Sequence, residues 1–231
     1  MLFRSVFALT DTGTSTYGKR LQAVARMGPD ILGVADCSDA ESAKMACTAA
    51  ADGKMLYITI EAENALQVIA KWVKLAGDRK RATEKLKGIS CQVLLRKLCE
   101  ECRQAYEPDR ELLKKFNMPA DKVKVFYRAG KVQYDKHGKP VTCEACQGTG
   151  FLGRIGVFEV VILNDELRKA IMTCKSLAEV GALFQKAKMY GLEEQALRKV
   201  VNGTTSINEM LRVLAARKKS SAAVKKPPQS T

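Results

Sequence analysis

Two rhythms of apolar and polar positions organise the first third of the chain. Residues 18–26 place Leu21, Val24 and Ala25 at helical spacing, and Gly28-Pro29 ends the helix they predict. The run Asp30-Ile31-Leu32-Gly33-Val34-Ala35-Asp36 is short, apolar and closed by acids, the pattern of a buried strand in a parallel sheet. Ser38 or Asp39 is placed to cap a helix over 42–51, which Asp52-Gly53 breaks. A second apolar run at 55–60 and a helical pattern at 63–75 around Trp72 repeat the order, and residues 2–9 supply a further candidate strand. Strands and helices alternating at this spacing predict α/β architecture with a parallel sheet.

After Lys85 the pattern changes. Residues 88–98 lead into Cys99-Glu100-Glu101-Cys102, a polar and charged stretch follows, and Cys143-Glu144-Ala145-Cys146-Gln147-Gly148-Thr149-Gly150 closes the segment. Within it, 123–127 and 131–134, separated by Gly130, predict a hairpin. Beyond it come a short strand at 157–163 and four helices at 165–173, 177–188, 192–202 and 206–216, with Asn164, Ser176 and Ser206 as N-caps. There is no internal repeat.

Composition narrows the class. The 231 residues, 46% of them hydrophobic, suffice for one large domain or two small ones. No run reaches the roughly 18 apolar residues of a membrane-spanning helix, and no export signal opens the chain, so a cytoplasmic location is expected. In that reducing compartment the eight cysteines are thiols or metal ligands; Cys37, Cys47, Cys91 and Cys174 stand alone among apolar or small residues and read as buried hydrophobes. The net charge of +14 reads as dispersed: five cations lie in a tail, 217–231, expected to be disordered, while Lys71, Lys74, Arg79, Lys80 and Arg81 read as a solvated helix face and the loop after it. That argues against specific nucleic-acid binding and leaves weak attraction to anionic membranes. The sole histidine, His137, reads as a solvated turn residue.

Chemistry concentrates in the cysteine quartet. In Cys99-x-x-Cys102 and Cys143-x-x-Cys146 each two-residue spacer turns both sulfurs toward one centre, so the four can hold one tetrahedral ion, zinc by default. Four sulfur ligands leave no open position for water, which makes the site structural rather than catalytic. Gly148 and Gly150 allow tight turns around sulfur, and Lys97 and Arg103 are placed to offset thiolate charge. An emptied site and a redox dithiol are the alternatives. Forty residues separate the knuckles, more than the usual ~15 to 20, so the intervening chain must return as an excursion.

The block Leu95-Arg96-Lys97-Leu98-Cys99-x-x-Cys102, then Cys143-x-x-Cys146-x-Gly148-Thr149-Gly150-Phe151-x-Gly153-Arg154-x-Gly156-Val157-Phe158-Glu159, closely resembles the type II secretion and type IV pilus assembly ATPases. So do Leu192-x-x-x-x-Leu197-Arg198-Lys199-Val200-x-x-Gly203-x-Thr205, Glu209-x-Leu211-Arg212-Val213, and the Walker B-like region after Arg26-x-x-Pro29-Asp30-Ile31. The resemblance covers roughly residues 19–215. It implies a RecA-like fold, hexamers, zinc on the four cysteines and docking on an inner-membrane platform protein. The organisation expected is a truncated RecA-like α/β core at 1–98, a tetracysteine zinc-binding segment at 99–150, a C-terminal strand and helical subdomain at 151–215, and a basic tail at 216–231. No counterpart of the family's N-terminal domain is expected, through either a genuinely short chain or a truncated gene.

Against that pattern the motor chemistry looks degraded. Nucleotide hydrolysis needs a phosphate cradle, a magnesium ligand, a water-positioning acid and stabilising cations. The family's Walker B glutamate falls at Asp36, its following arginine at Ser38, and the next acid is kept as Asp39. Glu61 stands where the family has its histidine, and Val93 where it has an arginine. Gly13-x-x-x-x-Gly18-Lys19 has phosphate-loop spacing, but Arg20 replaces the magnesium-binding hydroxyl and Tyr17 is bulky. Lys19 also starts the helix that precedes Walker B, so ATP binding through Lys19, Gly13 and Gly18 is doubtful. The resulting expectation is a non-catalytic family member, an interaction or regulatory module of a secretion or pilus motor and a candidate oligomer. A residual ATPase using Lys19, Asp36 and Asp39 and a basic zinc-containing nucleic-acid binder are the alternatives.

Overall fold

The computed structural model describes residues 5–6, 17–35, 37–131, 133–134 and 136–223. In chain order its elements begin with β1 (Ser5–Val6), α1 (Tyr17–Arg26), β2 (Ile31–Val34), α2 (Ala40–Ala51), β3 (Met55–Ile58), α3 (Ala65–Ala76) and α4 (Arg79–Glu84). There follow β4 (Gly88–Leu98), β5 (Gln104–Tyr106), α5 (Arg110–Lys115), β6 (Phe126–Arg128), β7 (Gln133–Tyr134), β8 (Pro140–Val141) and β9 (Phe151–Ile162). The last four are α6 (Asp165–Thr173), α7 (Leu177–Lys186), α8 (Leu192–Val201) and α9 (Ile207–Ala223). They form two compact units, Met1–Ser90 with Val160–Met189, and Cys91–Glu159 with Tyr190–Thr231.

The first unit holds the predicted α/β alternation. Strands β1, β2 and β3 pair in parallel in that order, with Ile31 opposite Met55 and Val34 opposite Ile58. Leu32 and Val34 point into the core, where Leu21, Val24, Ala43, Ala46 and Ala49 meet them. The run of small residues on α2 lets that helix lie close to the sheet. Burial is one-sided: Gly33, Met55 and Tyr57 are exposed, so the strands are not covered on both faces by described residues. Asp39 caps α2, accepting the Ser42 N–H at 2.8 Å and its hydroxyl at 2.6 Å. Asn64 caps α3 through the Gln67 N–H at 3.0 Å.

Residues Arg79–Arg81, expected in a loop, open α4 instead, because Asp78 accepts the Arg81 N–H at 2.7 Å and caps a helix there. The Trp72 indole, buried on α3, donates to the Ala82 carbonyl at 2.7 Å, joining the two helices. Asn164 and Ser176 cap α6 and α7 as predicted. Cys37, Cys47, Cys91 and Cys174 are all buried.

Strands β4 and β9 pair with each other, and β9 begins six residues before the predicted 157. The expected hairpin between 123–127 and 131–134 does not form. Instead β6 pairs with β5, Tyr106 opposite Phe126 with their rings edge to face, and β7 pairs with β8. The reason is packing. Phe126 is fully buried beside Tyr106, and Gly130 presses on the first knuckle, where a Cβ would stand 2.2 Å from the Cys102 carbonyl oxygen. The polar stretch after Tyr106 contains α5, capped by Asp109. Helix α9 continues to Ala223, into the segment expected to be a disordered tail; residues 224–231 lie outside the described residues.

Candidate metal centre

The first knuckle leaves the end of β4. The Cys99 N–H donates to the Gly150 carbonyl at 3.0 Å, and the Arg103 N–H returns to the Cys99 carbonyl at 3.0 Å, closing the turn that aims both sulfurs one way. In the second knuckle the Thr149 hydroxyl donates to the Cys146 carbonyl at 2.7 Å, and the Gly150 N–H donates to the Cys146 sulfur at 3.2 Å. Gly148 and Gly150 have φ of 80° and 71°, and a Cβ on Gly150 would lie 2.6 Å from that of Ala129. Both the left-handed backbone and the close approach require glycine there.

These turns bring all four predicted sulfurs within 4.8 Å of one another. Cys99 Sγ lies 3.8 Å from Cys143 Sγ, and Cys102 Sγ lies 3.7 Å from Cys146 Sγ. A tetrahedron with Zn–S bonds of about 2.3 Å has edges of about 3.8 Å. The quartet therefore fits a tetrathiolate ion without rearrangement. Cys99 and Cys146 are buried and the other two half-buried. Burial pushes the Cys102 thiol up to about 12, helped by its bonds to the other sulfurs. For Cys146 burial is outweighed by the Gly150 N–H and the neighbouring thiols, which bring it down to about 6.

Arg103, expected to offset thiolate charge, has another engagement. Its guanidinium lies 4.7 Å over the Tyr127 ring and donates to the Gly203 carbonyl at 2.9 Å. With the Leu98 N–H on the Thr204 carbonyl at 2.9 Å, it ties the first knuckle to the turn between α8 and α9.

A polar hub that the sequence did not reveal as such lies next to this turn. The Glu209 side chain is buried, accepting from the Arg96 guanidinium at 2.6 Å and N–H at 3.2 Å. It also accepts from Arg212 Nε at 2.9 Å and an Arg212 terminal nitrogen at 2.8 Å. The Arg212 bonds, together with those of Arg96, hold its carboxyl down to about 2 despite burial. Arg96 also lies 4.0 Å over the Phe151 ring, and its carbonyl accepts the Thr205 hydroxyl at 2.8 Å. Glu209 and Arg212 stand three residues apart on a helical pattern, which was the available signal; the long-range partner Arg96 left none.

The residues singled out for nucleotide chemistry are differently placed. Asp36 and Gly13 lie outside the described residues. Asp39 caps α2, and although burial raises its carboxyl, the bonds from Ser42 and the Glu41 N–H outweigh it and hold it below the ordinary range. Lys19 is exposed on the first turn of α1, while Gly18 is buried against the Glu41 side chain; a Cβ there would lie 2.6 Å from Glu41 Cγ. Glu61 is exposed, its backbone carbonyl bonded by the Lys71 ammonium. Ser38 is exposed and Val93 buried on β4. No described helix is long and apolar enough to cross a membrane.

Comparison with known proteins agrees with the cysteine block. The type IV pilus assembly ATPase PilB of Thermus thermophilus is 31% identical over 196 residues, covering 85% of this chain and 21% of that protein. The type II secretion system protein E of Xanthomonas campestris is 28% identical over 200 residues, covering 85% and 33%. The chain thus spans about a fifth to a third of the length of these relatives. In fold it is similar to the pilus retraction motor PilT with bound ADP (TM-score 0.57, 16% identity, 87% of this chain and 44% of that one). It is likewise similar to the Legionella pneumophila ATPase DotB (TM-score 0.54, 15% identity, 87% and 42%). The family model "Type II/IV secretion system protein" matches residues 4–212, and the chain belongs to that family of secretion and pilus motor ATPases.

Proposed function

We propose that this chain is a non-catalytic member of its family, an interaction or regulatory module of a secretion or pilus motor whose tetracysteine segment is held by a structural zinc ion. The observation that carries the reading is the environment of Gly18, the described glycine of the phosphate-loop-like sequence. Gly18 packs against the side chain of an acid, Glu41, where a phosphate cradle needs open backbone N–H groups and positive potential. Support comes from Glu61, a negative group where the family has histidine, and from Ser38 and Val93, where cations are lost. With Walker B Asp36 one methylene shorter than glutamate, a water it positioned would be displaced further than catalysis tolerates.

In this reading the partners are the motor's ATPase subunits or an inner-membrane platform protein, the location is the cytoplasm beside the inner membrane, and segment 99–150 is the structural metal module between core and helical end. Bound zinc would supply no chemistry; it would fix the two knuckles. The test is phosphate release from ATP by the purified zinc-loaded full chain. The expected result is release no faster than a protein-free blank. Turnover that Lys19→Ala abolishes would replace this reading with that of a residual ATPase.

A further inference from the structure

Within the first unit, α3, α6 and the start of α7 leave a cavity of about 250 Å³. Ile69 and Val73 on α3, Ile171 on α6, and Leu177 and Val180 on α7 line it, so its walls are largely aliphatic. Helix α7 closes on α3 at Gly181, where a Cβ would stand 3.3 Å from the Leu66 side chain. One turn earlier Leu177 lines the cavity and is 47% exposed, whereas Ile69, Ile171 and Val180 are buried. Two cations stand at the same cavity. Arg79 is half-buried, and its guanidinium donates to the Cys174 carbonyl, which fixes its position; Lys175 is exposed. No described carboxylate forms an ion pair with either. The acids nearest to them in sequence are committed elsewhere: Asp78 accepts the Arg81 N–H at 2.7 Å, and Glu179 accepts the Lys175 backbone N–H at 2.9 Å.

What fits such a cavity? Sites that hold a cofactor or metabolite run to about 300–1,000 Å³. This one is smaller and leaves room for one large side chain. A phosphate-bearing ligand would set its charge against aliphatic walls, whereas an apolar side chain removes those walls from water. Arg79 and Lys175 then select what flanks that side chain. A carboxylate beside it meets the planar fork of Arg79, held in place by Cys174, and the point charge of Lys175. The last residues of this chain do not supply such a segment, since 224–231 contain two lysines and no acid. We infer that the cavity is a docking pocket for an acidic segment of a partner protein, which inserts one leucine or phenylalanine and sets a neighbouring carboxylate on Arg79 and Lys175. The inference stands on the cavity and its two cations, and it holds whether or not the chain hydrolyses nucleotide.

The probe is a short acetylated and amidated peptide, a single phenylalanine between two pairs of glutamates in a glycine and serine context. It is titrated into the zinc-loaded full chain carrying methyl-labelled isoleucine and valine. The methyl signals of Ile69, Val73, Ile171 and Val180 are expected to shift together. Replacing the peptide's phenylalanine with alanine weakens binding at least about tenfold, and a peptide with lysines for its glutamates does not bind. Lys175→Glu, on the exposed rim, weakens binding about threefold to tenfold. Lys114→Glu, the same charge change on exposed α5 in the other unit, leaves it within about twofold. Both variants are surface changes, and an unchanged melting temperature shows that each is folded. Absence of these shifts at about 2 mM peptide, equal binding of the alanine peptide, or equal loss through Lys114→Glu would overturn the inference. So would equally tight binding of phenylacetate alone, in favour of a small carboxylate, or self-association of the unliganded chain that Lys175→Glu removes, in favour of a second copy.

Discussion

Replacing Glu209 with glutamine tests whether the buried carboxylate holds the second unit together. The carboxylate accepts four bonds from Arg96 and Arg212 and is itself only 2% exposed. Removing one partner of a buried ion pair costs about 3 to 5 kcal/mol when the other is left buried and charged. Here the Arg96 and Arg212 side chains are 44% and 59% exposed, so both cations stay hydrated and the loss falls at or below the low end. The titration gives a similar figure: a carboxyl lowered from 4.5 to about 2 corresponds to about 3 kcal/mol. We expect Glu209→Gln to cost about 2 to 3 kcal/mol at pH 7. The sign follows from the depressed value: the contribution is complete above about pH 4.5 and is lost as pH falls toward 2. Urea unfolding of wild type and variant at pH 7 and pH 3, followed by circular dichroism, measures both terms. Subtracting the two proteins at each pH removes effects common to both, such as acid release of metal. A difference below 0.5 kcal/mol at pH 7, or one that does not shrink at pH 3, refutes the reasoning.

Further expectations concern the metal, the turns and the helix ends. Native mass spectrometry should find one zinc per chain, none after Cys99→Ser or Cys146→Ser, and full occupancy in Cys91→Ser, whose thiol is buried outside the quartet. Gly150→Ala should weaken zinc binding at least about tenfold in a chelator competition, because its Cβ meets Ala129; Gly138→Ala, with a similar φ but open space, should cost only about 1 kcal/mol of stability and leave binding alone. Asp39→Ala should destabilise the first unit by about 1 kcal/mol in thermal unfolding, and Asp39→Asn much less, since either oxygen-bearing side chain caps α2. Trp72→Phe should cost about 1 to 3 kcal/mol by the same assay, leaving the Ala82 carbonyl without its indole donor.

What the sequence disclosed divides along the range of the interactions concerned. Caps such as Asp39, Asn164 and Ser176 are local, and so are the breaks at Gly28-Pro29 and Asp52-Gly53; each was legible and the elements end where they predict. The parallel sheet of the first unit was legible in the alternation of strands and helices, whereas the order of its strands was not. The four sulfurs converge because each knuckle is a local turn, although the pairing of the knuckles is not. What escaped is non-local. The partner of β6 was decided by where Phe126 could be buried, not by the glycine that looked like a turn. Arg96 meets Glu209 across more than a hundred residues, a relation no periodicity encodes. Two short helices, α4 and α5, were overlooked although Asp78 and Asp109 announce them, because six residues do not establish an apolar rhythm.

The forty residues between Cys102 and Cys143 form a tethered cassette, because an ion joining the knuckles would fasten both its ends. The entropic cost of such a closed loop grows only logarithmically, about 0.6 kcal/mol for each doubling of its length. Insertions or deletions near the β7–β8 turn would therefore hardly disturb the sulfur cluster. Length and surface chemistry there can diverge between family members while the anchoring at its two ends stays fixed.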